Sequence, residues 1–106
     1  MDITQLYVSQ RNLRRAAQIP SLITAIRNGE YIPPIRLSEA EDGTIQVDDG
    51  HHQVVAYWLC GRTYLEPHEY VVTLTDRPRP RFGHIPDLLH RCKLSAQSDI
   101  AILRDL

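Results

Sequence analysis

The sequence predicts a small α+β domain, in which a short mixed sheet packs with a buried helix. Its 106 residues, 42% of them hydrophobic, are enough for one core and too few for a second. Short β-branched runs bounded by turn residues alternate with apolar stretches that end at glycine, which is typical of strands and capped helices. The balance of 12 basic and 13 acidic residues is typical neither of a disordered tail nor of a surface devoted to nucleic acid.

Each predicted element has a local signal. Residues 3–8 alternate imperfectly and are assigned to a strand. Pro20 suits the first turn of a helix, and Gly29 suits its C-terminal cap. Glu41-Asp42-Gly43 is a turn signal between two strands, which predicts a hairpin. The remaining assignments are strands at 35–38, 44–48 and 70–74 and helices at 20–28, 54–60, 86–92 and 100–106.

Residues 45–61 carry the pattern with the most chemical content. A strand ends in carboxylates, Gly50 follows, and His51 and His52 stand at the start of an apolar helix. A helix N-terminus offers unpaired N–H groups and a partial positive charge, which favour phosphate or another anion and lower the pKa of nearby histidines. Gly50 lets a ligand approach the backbone closely. This segment is therefore the candidate binding site.

The same segment resembles a known box. Asp49-Gly50-His51-His52-Gln53, followed by Ala56 and Gly61, resembles the D-G-H-x-R-x-x-A box of the ParB/sulfiredoxin-like superfamily. The preceding helix and Pro33-Pro34-Ile35-Arg36-Leu37 resemble the elements before that box, so the resemblance covers roughly residues 3–74. It implies a compact α+β fold whose box helix meets nucleotide phosphates. Members of the superfamily include CTP-binding partition proteins, ATP-dependent sulfinic acid reductases, a free-serine kinase and proteins described as nucleases.

The resemblance implies roles for individual residues. Gly50, His51, His52 and Gln53 fall on the phosphate-contacting turn, and Gln53 replaces the usual arginine. We expect this replacement to remove a charge-assisted contact worth about 1.5–3 kcal/mol. Any chemistry would be phosphoryl transfer or phosphodiester cleavage, with His51, His52 and Asp49 as the catalytic candidates. The implied cofactor is Mg²⁺ with a nucleoside triphosphate, because Mg²⁺ can bridge Asp49 and phosphate.

Other functions fit the residues less well. Sulfinic acid reduction is rejected because the catalytic cysteine of that branch falls at His51, while Cys60 lies at the other end of the helix. Partition proteins carry further domains after this module, whereas about thirty residues follow Leu74 here. No metal ligands are assigned, because adjacent side chains such as Asp48-Asp49 and His51-His52 seldom converge on one ion. An interaction protein that kept the fold and lost the site remains the alternative, favoured by Gln53.

The two ends of the chain differ in charge. Residues 1–76, the predicted core, have six basic and ten acidic side chains, whereas residues 77–106 have six and three. The latter are assigned to a basic loop and a helical extension of the same domain. Prolines hold the loop extended, so Arg77, Arg79 and Arg81 are candidate DNA contacts. The alternative is a solvated loop, or one that folds back on the acidic first part of the chain.

Location and assembly are expected from composition. The longest apolar run has seven residues, far short of the ~20 that a membrane span needs, and no signal peptide is visible. Cys60 and Cys92 form no disulfide framework and are expected to be reduced thiols. These observations predict a cytoplasmic protein without a membrane partner, and they leave a homodimer open.

Overall fold

The computed structural model describes residues 1–92, which form an α+β fold and confirm the predicted class. The helices are α1 (Ile19–Arg27), α2 (His51–Leu59) and α3 (Ile85–Arg91), and the strands are β1 (Ile35–Glu39), β2 (Ile45–Asp49) and β3 (Tyr70–Leu74). The helix predicted at 100–106 lies outside the described residues.

The three strands form a mixed sheet in the order β2-β1-β3. β1 and β2 are antiparallel and form the hairpin that the Glu41-Asp42-Gly43 signal predicts. β3 lies parallel to β1 on its other side, and the connection from β2 to β3 contains α2. A parallel neighbour requires such a crossover, so α2 begins at one end of the sheet.

Helix α2 is the centre of the core. It contacts β1, α1 and α3, and six of its nine residues are buried, as its nearly continuous apolar surface requires. Side chains from α1, α3 and the inner face of the sheet join the same cluster. Within residues 1–92, no helix combines the length and the apolarity needed to cross a bilayer.

The strand predicted over residues 3–8 is wrong. Ile3–Gln5 forms a 3₁₀ turn instead, because the carboxylate of Asp2 accepts a hydrogen bond from the Thr4 N–H at 2.9 Å and closes a local turn. Within residues 3–8, Tyr7 forms isolated bridges to Gln46 and His84, and the bridge to Gln46 extends the sheet beside β2. The apolar side chains that suggested a strand, Ile3, Leu6 and Val8, are buried, although the segment is a capped turn followed by isolated bridges.

A β-bulge sets the geometry at the end of β2. The ladder passes from the pair Leu37–Val47 to the pair Arg36–Asp49, so Asp48 is the additional residue. Such a bulge increases the local twist and redirects the strand. β2 therefore ends beside the start of β1, and the chain turns at Gly50 directly into α2.

Candidate ligand groove at the start of helix α2

An open groove of about 1140 Å³ runs from the start of α2 across the outer face of the sheet. We call it the α2 groove. Residues from β1, β2 and β3 line it, together with the Pro33-Pro34 segment and the loop after β3. Its charged and amide-bearing side chains are Arg36, Arg79, Asp48, Asp49, Gln10 and Gln53. The groove therefore brings together parts of the chain that are far apart in sequence.

Helix α2 begins next to this groove without a capping side chain. Gly50 is its N-cap residue and has φ +108°, a left-handed conformation that favours glycine. The first hydrogen bond of the helix runs from the Val54 N–H to the Gly50 carbonyl at 3.0 Å. The N–H groups of His51, His52 and Gln53 precede it and have no acceptor in the helix itself. These are the donors that an anion can use.

The first of the two histidines is part of the core. His51 is 2% exposed, and its Nε2 accepts the N–H of Ser9 at 3.0 Å. The ring is therefore neutral with its proton on Nδ1, an atom that is buried and has no hydrogen-bond partner within residues 1–92. Burial lowers the pKa of His51 to about 4, and the neighbouring charges of His52 and Arg79 act in the same direction. The pKa shift of His51 has the direction that the sequence predicts, but desolvation rather than the helix dipole is its largest cause.

The second histidine binds the same preceding segment. The Nε2 of His52 accepts the N–H of Arg15 at 3.0 Å, and partial burial together with the Arg15 charge lowers its pKa. Two consecutive imidazoles thus hold residues 9–15, which we call the strap, across the start of α2. The far side of the strap is held from α3, where Arg91 Nε donates to the Arg11 carbonyl at 2.8 Å.

Gln53 is also engaged by the protein itself. Its Nε2 donates to the Pro33 carbonyl at 2.8 Å. Its Oε1 lies so near Gly50 that a Cβ at position 50 would come within 2.7 Å of it. The glutamine therefore ties the start of α2 to the segment before β1.

The two carboxylates at the end of β2, Asp48 and Asp49, differ in their surroundings. Asp48 Oδ1 accepts hydrogen bonds from Ser38 Oγ at 3.0 Å and Gln46 Nε2 at 3.1 Å, and Arg79 Nε lies 3.7 Å away. Asp49 is exposed at the groove and is paired with Arg36 in the sheet register. No group of three or more His, Cys, Asp or Glu side chains suited to a metal ion occurs in residues 1–92.

The basic loop packs against the acidic first part of the chain. Arg81 lies over the Tyr7 ring at 4.8 Å, donates to the Thr44 hydroxyl and lies 3.7 Å from Asp42. Arg79 faces Asp48 in the α2 groove, whereas Arg77 is exposed. The three guanidinium groups of the loop are therefore directed to different surroundings.

The predicted site residues fall into two groups in the structure. It brings Asp49, Gln53 and Arg79 to one groove, and it places His51 and His52 beneath the strap. Sequence reasoning assigned no role to three further residues of the site, Ser9, Gln10 and Arg36. For Arg36 the signal was its position between Ile35 and Leu37, since alternation along a strand points it to the opposite face.

Comparison with known proteins gave no match to a family model, to a curated protein or to a solved structure. The groove and its surroundings are therefore the basis for a functional proposal, together with the resemblance carried by the Asp49–Gln53 box.

Proposed function

We propose that the chain binds a phosphate-bearing small molecule, such as a nucleotide, in the α2 groove. The observation that carries this proposal is that Asp49 and Gln53, which flank the uncapped start of α2, line one groove together with the guanidinium groups of Arg36 and Arg79. Helix N–H groups and guanidinium groups are the donors that bind phosphate in proteins. The resemblance to the ParB/sulfiredoxin-like box supports the same ligand class.

The charges in the groove indicate what such a ligand needs. The formal charges of Arg36, Arg79, Asp48 and Asp49 cancel, so the groove is not a strongly positive site. A phosphate gains from the N–H groups of α2 and from a guanidinium, but it meets the exposed carboxylate of Asp49. One or two carboxylates together with ligand phosphates are a donor set that Mg²⁺ prefers. Asp49 is thus the residue that would hold Mg²⁺, which supplies positive charge when it is bound.

Binding is better supported than turnover. The Nε2 atoms of both His51 and His52 accept backbone N–H groups of the strap. Proton transfer through either atom to a ligand in the groove would first require the strap to move. We therefore propose a binding module, in which the two histidines position the strap beside the ligand.

Thermal unfolding tests this proposal. CTP, ATP, GTP and inorganic phosphate are each added with and without Mg²⁺. We expect at least one of these ligands, with Mg²⁺ present, to raise the free energy of unfolding by about 2.7 kcal/mol at a hundredfold excess over Kd. Arg36→Gln removes a groove guanidinium and should abolish most of this stabilisation. Arg27→Gln on the exposed face of α1 is the matched control and should leave it unchanged. Gly50 is a poor target, because a side chain there is strained whatever the ligand.

The second candidate is an interaction protein that binds no nucleotide. The hydrogen bond from Gln53 to the Pro33 carbonyl favours it, because the residue at the family's arginine position is used to hold the fold. Absence of stabilisation by every ligand, in the wild type and in Gln53→Arg, would support this candidate.

DNA binding is less favoured, since Arg79 and Arg81 are directed to carboxylates of the same chain. Cys60 and Cys92 are free thiols, which agrees with the cytoplasmic location that we propose.

A further inference from the structure

Strand β3 presents one edge of the sheet. It has five residues, Tyr70-Val71-Val72-Thr73-Leu74, and none of them is charged or proline. Natural proteins usually protect an exposed sheet edge with charged residues or proline, because unpaired backbone groups recruit another strand. At the opposite edge, the backbone of Tyr7 bonds both Ile45 and Val47 of β2. The β3 edge has no equivalent bridge within residues 1–92.

The register of the sheet shows which backbone groups of β3 face outwards. The Thr75 N–H donates to the Glu39 carbonyl at 2.9 Å, and Leu74 is the register partner of Glu39. In a parallel ladder, alternate residues of a strand bond to the same neighbour. Residues 71, 73 and 75 therefore face β1, whereas the N–H and C=O groups of Tyr70, Val72 and Leu74 point away from the sheet. Leu74 is also 83% exposed.

We propose that two copies of this chain pair through their β3 edges as antiparallel strands. A two-fold axis at Val72 places Val72 opposite its equivalent and Tyr70 opposite Leu74. In this register the three outward residues of each copy exchange both backbone hydrogen bonds, which gives about six bonds in total. Shifting the axis to Val71 or Thr73 leaves about four. The two-fold register at Val72 is therefore the one that satisfies the whole edge.

The charges that flank β3 favour a second copy in the antiparallel direction. Glu66 precedes the strand and Arg77 follows it, and both are exposed. A 3₁₀ turn, Pro67–Glu69, separates Glu66 from the strand. Antiparallel pairing brings the start of one strand beside the end of the other, so Glu66 of one copy and Arg77 of the other lie at the same end of the paired strands. A parallel arrangement would place identical charges side by side. The strand itself carries no charge that would oppose self-pairing.

The size of the edge predicts a weak dimer. Stable protein interfaces bury about 1,600 Å² in total, and a five-residue strand edge supplies much less. We therefore expect a monomer–dimer equilibrium in which the dimer becomes populated at roughly 0.1–1 mM protein. Measurement has to extend over this range.

Sedimentation equilibrium of the full chain tests the pairing with two variants at one position. Leu74→Pro removes an outward N–H from each copy, which affects two of the six bonds without affecting a bond to β1. We expect it to raise the dimer dissociation constant by about thirtyfold. Leu74→Thr keeps the N–H and removes a similar apolar side chain, so its constant should stay within about threefold of the wild type. Equal constants for the two variants would overturn the proposal.

Hydrogen exchange of the wild-type chain provides a readout that needs no variant. Amides of Val71 and Thr73 should be protected at every concentration, because they bond to β1. Amides of Tyr70, Val72 and Leu74 should become protected only as the concentration rises. A chain that stays monomeric up to 1 mM, or outward amides that are protected equally at all concentrations, would contradict pairing between copies.

Discussion

The side chain of a histidine at the start of a helix can either face a ligand or pack into the core. His51 packs into the core, which its position in the sequence does not reveal. Its backbone N–H belongs to the free donors of α2, while its imidazole is buried and accepts the N–H of Ser9. Burial of a neutral imidazole lowers its pKa because the charged form loses hydration. The backbone of this residue thus belongs to the proposed phosphate site and its side chain to the core.

This burial predicts a dependence of stability on pH. The unfolded state gains a proton on His51 as the pH falls below 6.5, whereas the folded state resists protonation down to about 4. The free energy of unfolding should therefore decrease as the pH falls from 6.5 to 4, by about 3 kcal/mol from this residue. Urea unfolding measured across this range checks the slope.

The matching variants separate His51 from other groups. His51→Gln keeps a hydrogen-bond acceptor and removes the titration, so its stability should vary much less between pH 6.5 and 4. His68→Gln changes an exposed histidine and should retain the wild-type slope. The same slope in both variants would show that His51 does not carry the effect.

Gln53 predicts a gain of function. Gln53→Arg gives up the hydrogen bond to Pro33 and provides a charged fork at the start of α2. We expect nucleotide affinity, measured by calorimetry with Mg²⁺ present, to increase by about tenfold or more. Gln5→Arg adds the same charge at an exposed position outside the groove and should change affinity little. Equal effects of the two variants would indicate net charge alone.

At the scale of the elements, the sequence predicts what local patterns determine. Pro20 and Gly29 bracket α1, the Asp42-Gly43 turn joins the hairpin, and the apolar run before Gly61 is a buried helix. The prediction of an N-terminal strand is wrong because the hydrogen bond that the Asp2 carboxylate accepts from the Thr4 N–H stabilises a local turn, whereas the alternation of apolar residues is imperfect. The bulge at Asp48 has no local signal, since it depends on how β2 pairs with β1.

The strap is the element that no local pattern predicts. Its attachment to α2 rests on the backbone N–H groups of Ser9 and Arg15, which donate to imidazoles about forty residues later in the chain. His52→Phe keeps a ring of similar size and removes the acceptor for the Arg15 N–H. We expect exchange of the Arg15 amide to become at least tenfold faster, because this hydrogen bond is lost. The Ser9 amide, held by His51, is the internal control and should change far less.

At the scale of the whole molecule, the basic loop is part of the fold. Arg81 connects it to Tyr7 and to the hairpin turn at Asp42 and Thr44. Arg81→Ala should therefore lower the free energy of unfolding by about 1 kcal/mol. Arg77→Ala, at an exposed position of the same loop, should leave stability within about 0.5 kcal/mol of the wild type. Equal losses would mean that the loop contacts contribute nothing specific.

The sequence predicts only part of the α2 groove, because some of its residues reach it through long-range contacts. The box places Asp49, Gly50 and Gln53 at the start of a helix, and this much follows from sequence order. Arg36 and Arg79 reach the groove through strand pairing and through the path of the loop. Long-range contacts of this kind depend on the complete fold. A single sequence therefore predicts the residues at the start of α2 but not the two arginines that line the groove beside them.

Amide chemical shifts during a titration with a nucleoside triphosphate and Mg²⁺ test the proposed site most directly. We expect saturable shifts of the His51, His52 and Gln53 amides, which Arg36→Gln weakens and Arg27→Gln leaves unchanged. Shifts confined to the loop of Arg77 and Arg81, or none at millimolar ligand, would contradict it.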